Sequence, residues 1–143
     1  MYCSKNLENI TVASGNTKYI EKGNCLIEIS SKTLMLGCNN SVIPTDGSIT
    51  SIGDFAFYDC DNLTSITISS SVKRIGRSAF EDCGKLASVT FENTSGWKVS
   101  FNSDLSNSES ISSADLSNTR RAATYLTVSS YSGWRANYYW WRS

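Results

Sequence analysis

The amino-acid sequence predicts an α/β solenoid: a right-handed superhelix with a parallel strand ladder, an inserted β-hairpin and a C-terminal cap. Three observations carry this prediction. The chain repeats itself at a fixed spacing of 23 residues. Within each copy, apolar residues alternate with Ser and Thr over one short run and then recur every four residues over the next. The surface chemistry is hydroxyl-rich, with 40% hydrophobic and only 18% charged residues, as in sheet-rich extracellular proteins.

The repeat is plainest when 49–71, ITSIGDFAFYDCDNLTSITISSS, is set over 72–94, VKRIGRSAFEDCGKLASVTFENT, without a gap. Ile52/Ile75, Gly53/Gly76, Ala56/Ala79, Phe57/Phe80, Asp59/Asp82, Cys60/Cys83 and Leu63/Leu86 coincide. A partial third copy, Asn6-Leu7-Glu8-Asn9-Ile10-Thr11-Val12, matches residues 62–68, with 33 inserted residues accounting for the extra offset. The chain therefore opens inside a repeat, as a fragment of a longer array would.

Each copy predicts a strand and a short helical turn. In L-x-x-I-x-I, Ile66 and Ile68 point inward and Ser65 and Thr67 outward. In I-G-x-x-A-F-x-x-C, Ile75, Ala79 and Cys83 stand at i, i+4 and i+8, one stripe of a helix. One copy buries about five side chains, at roughly 1.5–3 kcal/mol each. That cannot offset the ordering entropy of its backbone, so the copies must stack. The outward strand residues Asn9, Thr11, Ser65, Thr67, Ser88 and Thr90 are then the candidate ligand face.

These residues resemble the BspA-like leucine-rich repeat family of bacterial and protist surface proteins. The shared motif, I-G-x-x-A-F-x-x-C-x-x-L-x-x-I-x-I, stands at 52–68 and 75–91. The inserted Asn24-Cys25, Leu34-Met35-Leu36-Gly37-Cys38 and Val42-Ile43-Pro44 are also similar. So is the ending, from Gly96-Trp97 through Ala122-Ala123-Thr124-Tyr125-Leu126 to Trp140-Trp141-Arg142-Ser143. The resemblance implies a right-handed leucine-rich repeat superhelix in a secreted or cell-surface protein that engages a protein or cell-surface ligand. It brings no catalytic residues and no cofactor.

Two segments depart from the period, dividing the chain into repeats with an inserted hairpin (1–95, hairpin within 13–48) and a capping segment (96–143). In the hairpin, a four-residue loop at 30–33 pairs 29 with 34, 27 with 36 and 25 with 38. Cys25 then faces Cys38, a candidate disulfide; two free thiols are the alternative. Cys60 and Cys83 read as small buried hydrophobes, and Cys3 is left over. In the ending, residues 97–101 alternate as a strand, and Asn118 or Thr119 caps a helix over 120–128 whose inner face is Ala122, Ala123 and Leu126. Trp134, Trp140 and Trp141 are either the core of the cap or an exposed aromatic platform for sugars.

Several function classes are excluded or disfavoured. There is no His, so no Ser–His or Cys–His nucleophile, and no C-x-x-C zinc pattern. Asp59, Asp61, Glu81 and Asp82 follow the period and read as solvated surface rather than an acid–base pair. Formal net charge is zero, giving no field for nucleic acid, and the four Arg after Leu116 read as a solvated face. No apolar run of about 18 residues predicts membrane insertion. The residues 1–12 have no signal-peptide pattern. The reading is a non-enzymatic interaction or adhesion module. The alternatives are a purely structural cap and spacer, or a carbohydrate-binding module using the C-terminal aromatics.

Overall fold

Apolar side chains that recur every 23 residues can all be buried only if successive turns of chain lie directly above one another. The computed structural model describes residues 6–128 and 135–143, and it has this stacking. The elements in chain order are β1 (Tyr19–Lys22), β2 (Cys25–Glu28), β3 (Thr33–Leu36), β4 (Ser51–Ile52), β5 (Ser65–Ile68), β6 (Arg74–Ile75), β7 (Ser88–Phe91), β8 (Lys98–Ser100), β9 (Glu109–Ser110), α1 (Ser113–Ser117), α2 (Thr119–Thr127) and β10 (Tyr139–Trp141).

Two sheets run along the stack. In the smaller, β5 lies parallel to β7 with Ser65 beside Ser88, Ile66 beside Val89, Thr67 beside Thr90 and Ile68 beside Phe91. In the larger, the order is β1-β2-β3-β4-β6-β10-β8-β9. β3, β4 and β6 are parallel rungs, and β10 joins β6 antiparallel. Ladder pairing threads one buried row through this sheet: Ile27, Leu34, Ile52, Ile75, Trp140 and Val99.

That row explains a difference in the hairpin. The observed pairs are Glu28 with Thr33, Ile27 with Leu34 and Leu26 with Leu36, with a bulge between them. The loop is 29–32, closed by a left-handed Lys32 (φ 52°). Leu34 must lie level with Ile52 in the parallel rung, so it takes the place opposite Ile27 that the loop-based reading gave to Leu36. β1, unanticipated, then pairs with the other edge of β2 and sets Lys22 opposite Cys25.

The return arm is not a helix. It is a run of i→i+3 turns: Ala56 N–H donates to Gly53 O, Tyr58 to Phe55, Cys60 to Phe57 and Leu63 to Cys60. Left-handed residues link the turns at Phe55, Asp59, Ser78 and Asp82, again 23 apart. Consecutive four-residue turns bring Ala79 and Cys83 to the same face that a helical stripe would, so both pack inward with Phe80. Backbone bonds between coils supply what a helix would have supplied within itself: Phe55, Phe57 and Asp59 N–H donate to Arg77, Ala79 and Glu81 O.

The first partial copy, 6–12, forms no strand. Leu7 and Ile10 pack against the core, and the backbone is held by Asn24, whose carboxamide accepts from Ile10 N–H and donates to Glu8 O. Helix α2 forms as its sequence predicts. The Asn118 side chain accepts from Arg121 N–H at 3.0 Å, and Ala122, Ala123 and Leu126 are buried, packed mainly on β7.

Candidate functional site

The hydroxyl face of β5 and β7 is assembled by pleat alone. Because Ile66, Ile68, Val89 and Phe91 enter the core, Ser65, Thr67, Ser88 and Thr90 must face away from it. Ser65, Thr67 and Thr90 are exposed and Ser88 is half-buried. The parallel register sets them as two rows of like residues, Ser65–Ser88 and Thr67–Thr90, about 4.8 Å apart. No charged side chain stands within either row. Asn9 and Thr11 are exposed but lie in the strandless 6–12 segment, so neither joins the two rows through a ladder.

Of the two alternatives open for Cys25 and Cys38, the structure has the free thiols. Cys25 and Cys38 are buried free thiols, as is Cys83. The bulge and the end of β3 at Leu36 remove the cross-strand opposition on which a disulfide depended. Each thiol instead finds a carbonyl: Cys25 Sγ lies 3.8 Å from Val42 O, and Cys38 Sγ 3.7 Å from Asn24 O. Ser41 Oγ joins them, donating to Asn24 O and accepting from Cys38 N–H. Cys60, expected to be a free thiol, is disulfide-bonded. Cys3 lies outside the described residues.

Burial pushes the Cys25 and Cys83 thiols up to about 12 from 9.0. Neighbouring acidic groups add to this, Cys38 and Glu21 at Cys25 and Asp61, Asp59 and Asp82 at Cys83. The fold thus keeps two protons that the unfolded chain releases above about pH 9. Their contribution is complete below that value and disappears as pH rises toward 12. The urea midpoint should therefore fall between about pH 9 and 12, and Cys83 should react with a disulfide reagent near pH 8 no faster than the chain unfolds. A flat midpoint across that window, or immediate labelling of Cys83, would contradict this account.

The aromatic ending divides. Trp140 is not a platform: it is 1% exposed, ringed by Phe91, Trp97 and Tyr125, and its indole N–H donates to Arg135 O at 3.1 Å. A residue central to the buried row cannot also face solvent. Trp141 and Tyr139, one position to each side, are half-buried on the opposite face, with the Lys98 ammonium 5.0 Å from the Trp141 ring centre. Trp134 lies outside the described residues.

Three of the four Arg residues of the ending are engaged individually. Arg121 pairs with Asp115 at 3.0 Å and Arg135 with Glu109. Arg142 holds the 69–72 turn through Val72 O (3.1 Å) and Ser70 O. Among the described residues, no group of three or more Cys, Asp or Glu is placed to hold a metal ion, and no helix is long and apolar enough to cross a membrane.

Coils of one length, stacked in register with a leucine or isoleucine at the same inward positions, define a leucine-rich repeat protein. The family described as "BspA type Leucine rich repeat region (6 copies)" matches residues 27–132, well over half of the chain, and the chain belongs to that family. No curated protein and no solved structure matches it. The match also takes in the inserted hairpin from Ile27 onward. There β3 serves as a rung parallel to β4.

Proposed function

We propose that this chain is a non-enzymatic protein-interaction module of a secreted or surface-displayed adhesion protein, and that it binds through the hydroxyl face of β5 and β7. The aligned, uncharged rows Ser65–Ser88 and Thr67–Thr90 support this most directly. They form a flat strip of paired donors and acceptors that each further repeat would lengthen, and many weak contacts along such a strip add by multivalency. Asn9 and Thr11 flank it only if a partner reaches across the 6–12 segment. The coils are read as right-handed, from the general handedness of parallel crossovers.

The same proposal divides the chain at about residue 95 and assigns 96–143 to capping. Its support is chemical. The turn-arm donors of the last full coil, Ser78 and Asp82 N–H, give to Ala136 O and Thr127 O, and β10 takes the position of the next rung beside β6. A purely structural cap and spacer is the second reading, favoured by the same bonds.

The two separate experimentally. Beads coated with the chain are tested for adhesion to an epithelial cell monolayer, with wild type beside a variant carrying Ser65→Lys, Thr67→Lys, Ser88→Lys and Thr90→Lys. The expected result is loss of adhesion by at least about tenfold with an unchanged far-UV spectrum, since four like charges on one strip oppose docking. Equal adhesion of the two proteins, or none by wild type, would favour the spacer.

A further inference from the structure

A second surface, on the outer side of the larger sheet, has a chemistry unlike that of the hydroxyl strip. The pairing that sends Ile52, Ile75 and Trp140 inward sends Ser51, Arg74, Trp141 and Lys98 outward in a single transverse row. One position further on, β4 and β6 are each followed by glycine, Gly53 and Gly76, so the floor there carries no side chains beside Tyr139. At Gly76 a Cβ would approach Asp54 Oδ1 to 2.3 Å, so the bare floor is enforced by packing. The result is an open cleft of about 250 Å³ lined by Arg74, Asp54, Tyr139 and Trp141 among others, just below the usual range for small-ligand sites of roughly 300–1,000 Å³.

Three features restrict the occupant. Tyr139 and Trp141, both half-buried, offer aromatic surface on which a sugar ring can lie. Arg74 is exposed and makes no ion pair with a described residue, leaving its planar fork available to a carboxylate. Asp54, whose Oδ1 accepts from Arg77 N–H at 2.9 Å, keeps its second oxygen for a donor and sets a negative charge in the same cleft. That charge opposes a phosphate dianion and suits a ligand that offers hydroxyl donors together with one carboxylate. Every strand beneath the cleft is paired on both sides: β4 by β3 and β6, β6 by β4 and β10, β10 by β6 and β8. An extended peptide therefore finds no free edge to join.

We propose that this cleft binds a saccharide residue carrying a carboxylate, a uronate or a sialic-type sugar. Its ring lies against Tyr139 and Trp141, its carboxylate on Arg74 and its hydroxyls on Asp54. This site is separate from the β5–β7 strip and does not depend on it.

The test is a heteronuclear NMR titration of the whole chain with a tetrasaccharide alternating glucuronate and N-acetylglucosamine, following the tryptophan indole N–H signals. The Trp141 signal should move saturably. Arg74→Gln should weaken binding at least about tenfold while leaving the Trp97 and Trp140 signals in place, which verifies the fold. Reducing the ligand's carboxylates should weaken binding to wild type by a similar factor, and Arg74→Gln should then add nothing further. No saturable shift, or equal binding by Arg74→Gln, overturns the proposal. So does a tetraglutamate peptide that moves the Trp141 signal as strongly as the sugar, because recognition would then not be of a saccharide.

Discussion

Replacing Phe80 with Ala is expected to lower unfolding free energy by about 3–5 kcal/mol, a large share of the roughly 5–15 kcal/mol by which domains are stable. Phe57 and Phe80 are wholly buried and stack at 4.9 Å with their planes 8° apart. One ring belongs to each coil, so the contact is between repeats rather than within one. The column extends a coil further: a Cβ on Gly37 would come within 2.0 Å of Phe57 Cε1, and glycine there makes room for the ring. Truncating Phe80 therefore opens a cavity against the Phe57 ring, and that ring is itself packed against the Gly37 backbone. Urea denaturation followed by tryptophan fluorescence gives the value. A double-mutant cycle with Phe57→Leu should show about 0.5–1.5 kcal/mol of coupling. A total loss under about 1 kcal/mol would mean that the coils do not depend on this stack.

Trp140→Ala should have a comparable effect, again about 3–5 kcal/mol, with a second consequence that Phe80→Ala lacks. Trp140 joins the ring cluster of Phe91, Trp97 and Tyr125 to the buried sheet row, and β10 is the strand that occupies the edge of β6. Loosening it uncovers that edge, a template for strand pairing between molecules. The variant should melt lower and run as oligomers on size exclusion. Trp141→Ala, on the opposite face of the same strand, should remain monomeric and cost at most about 1.5 kcal/mol. Equal behaviour of the two would show that the inward position of Trp140 is not what closes the stack.

The positions that repeat were legible in the sequence because burial imposes them. A 23-residue identity at Ile52/Ile75 and Leu63/Leu86 leaves one way to hide both members, and the β5–β7 register follows from it pair by pair. The cap of α2 was legible because Asn118 acts through its immediate neighbours. The return arm was misread because its left-handed links stand four residues apart, at Phe55 and Asp59 and again at Ser78 and Asp82, and bring inward residues back at the spacing of a helical stripe. The available signal was Asp59 and Asp82 at equivalent positions, since Asp accepts the left-handed region more readily than most residues. Phe55 and Ser78 adopt it with no such signature, held by bonds from the adjoining coil. The hairpin register was illegible for a related reason: it is set by Ile52, on another strand, and not by the loop. The cleft of Arg74, Asp54, Tyr139 and Trp141 was half visible. Trp141 stands out as an aromatic, but its neighbours are gathered by the antiparallel return of β10, which no local pattern announces.

The bonds from Phe55, Phe57 and Asp59 to Arg77, Ala79 and Glu81 all run the same way along the stack, from the amide hydrogens of one coil to the oxygens of the following one. Such an arm has a sense, like a row of magnets. A duplicated 23-residue unit slipped into the middle arrives with as many amides as oxygens and leaves both extremities chemically as they were. Gene-level lengthening or shortening of the array is thus neutral for its ends, so reach can vary among descendants without any redesign of the terminus.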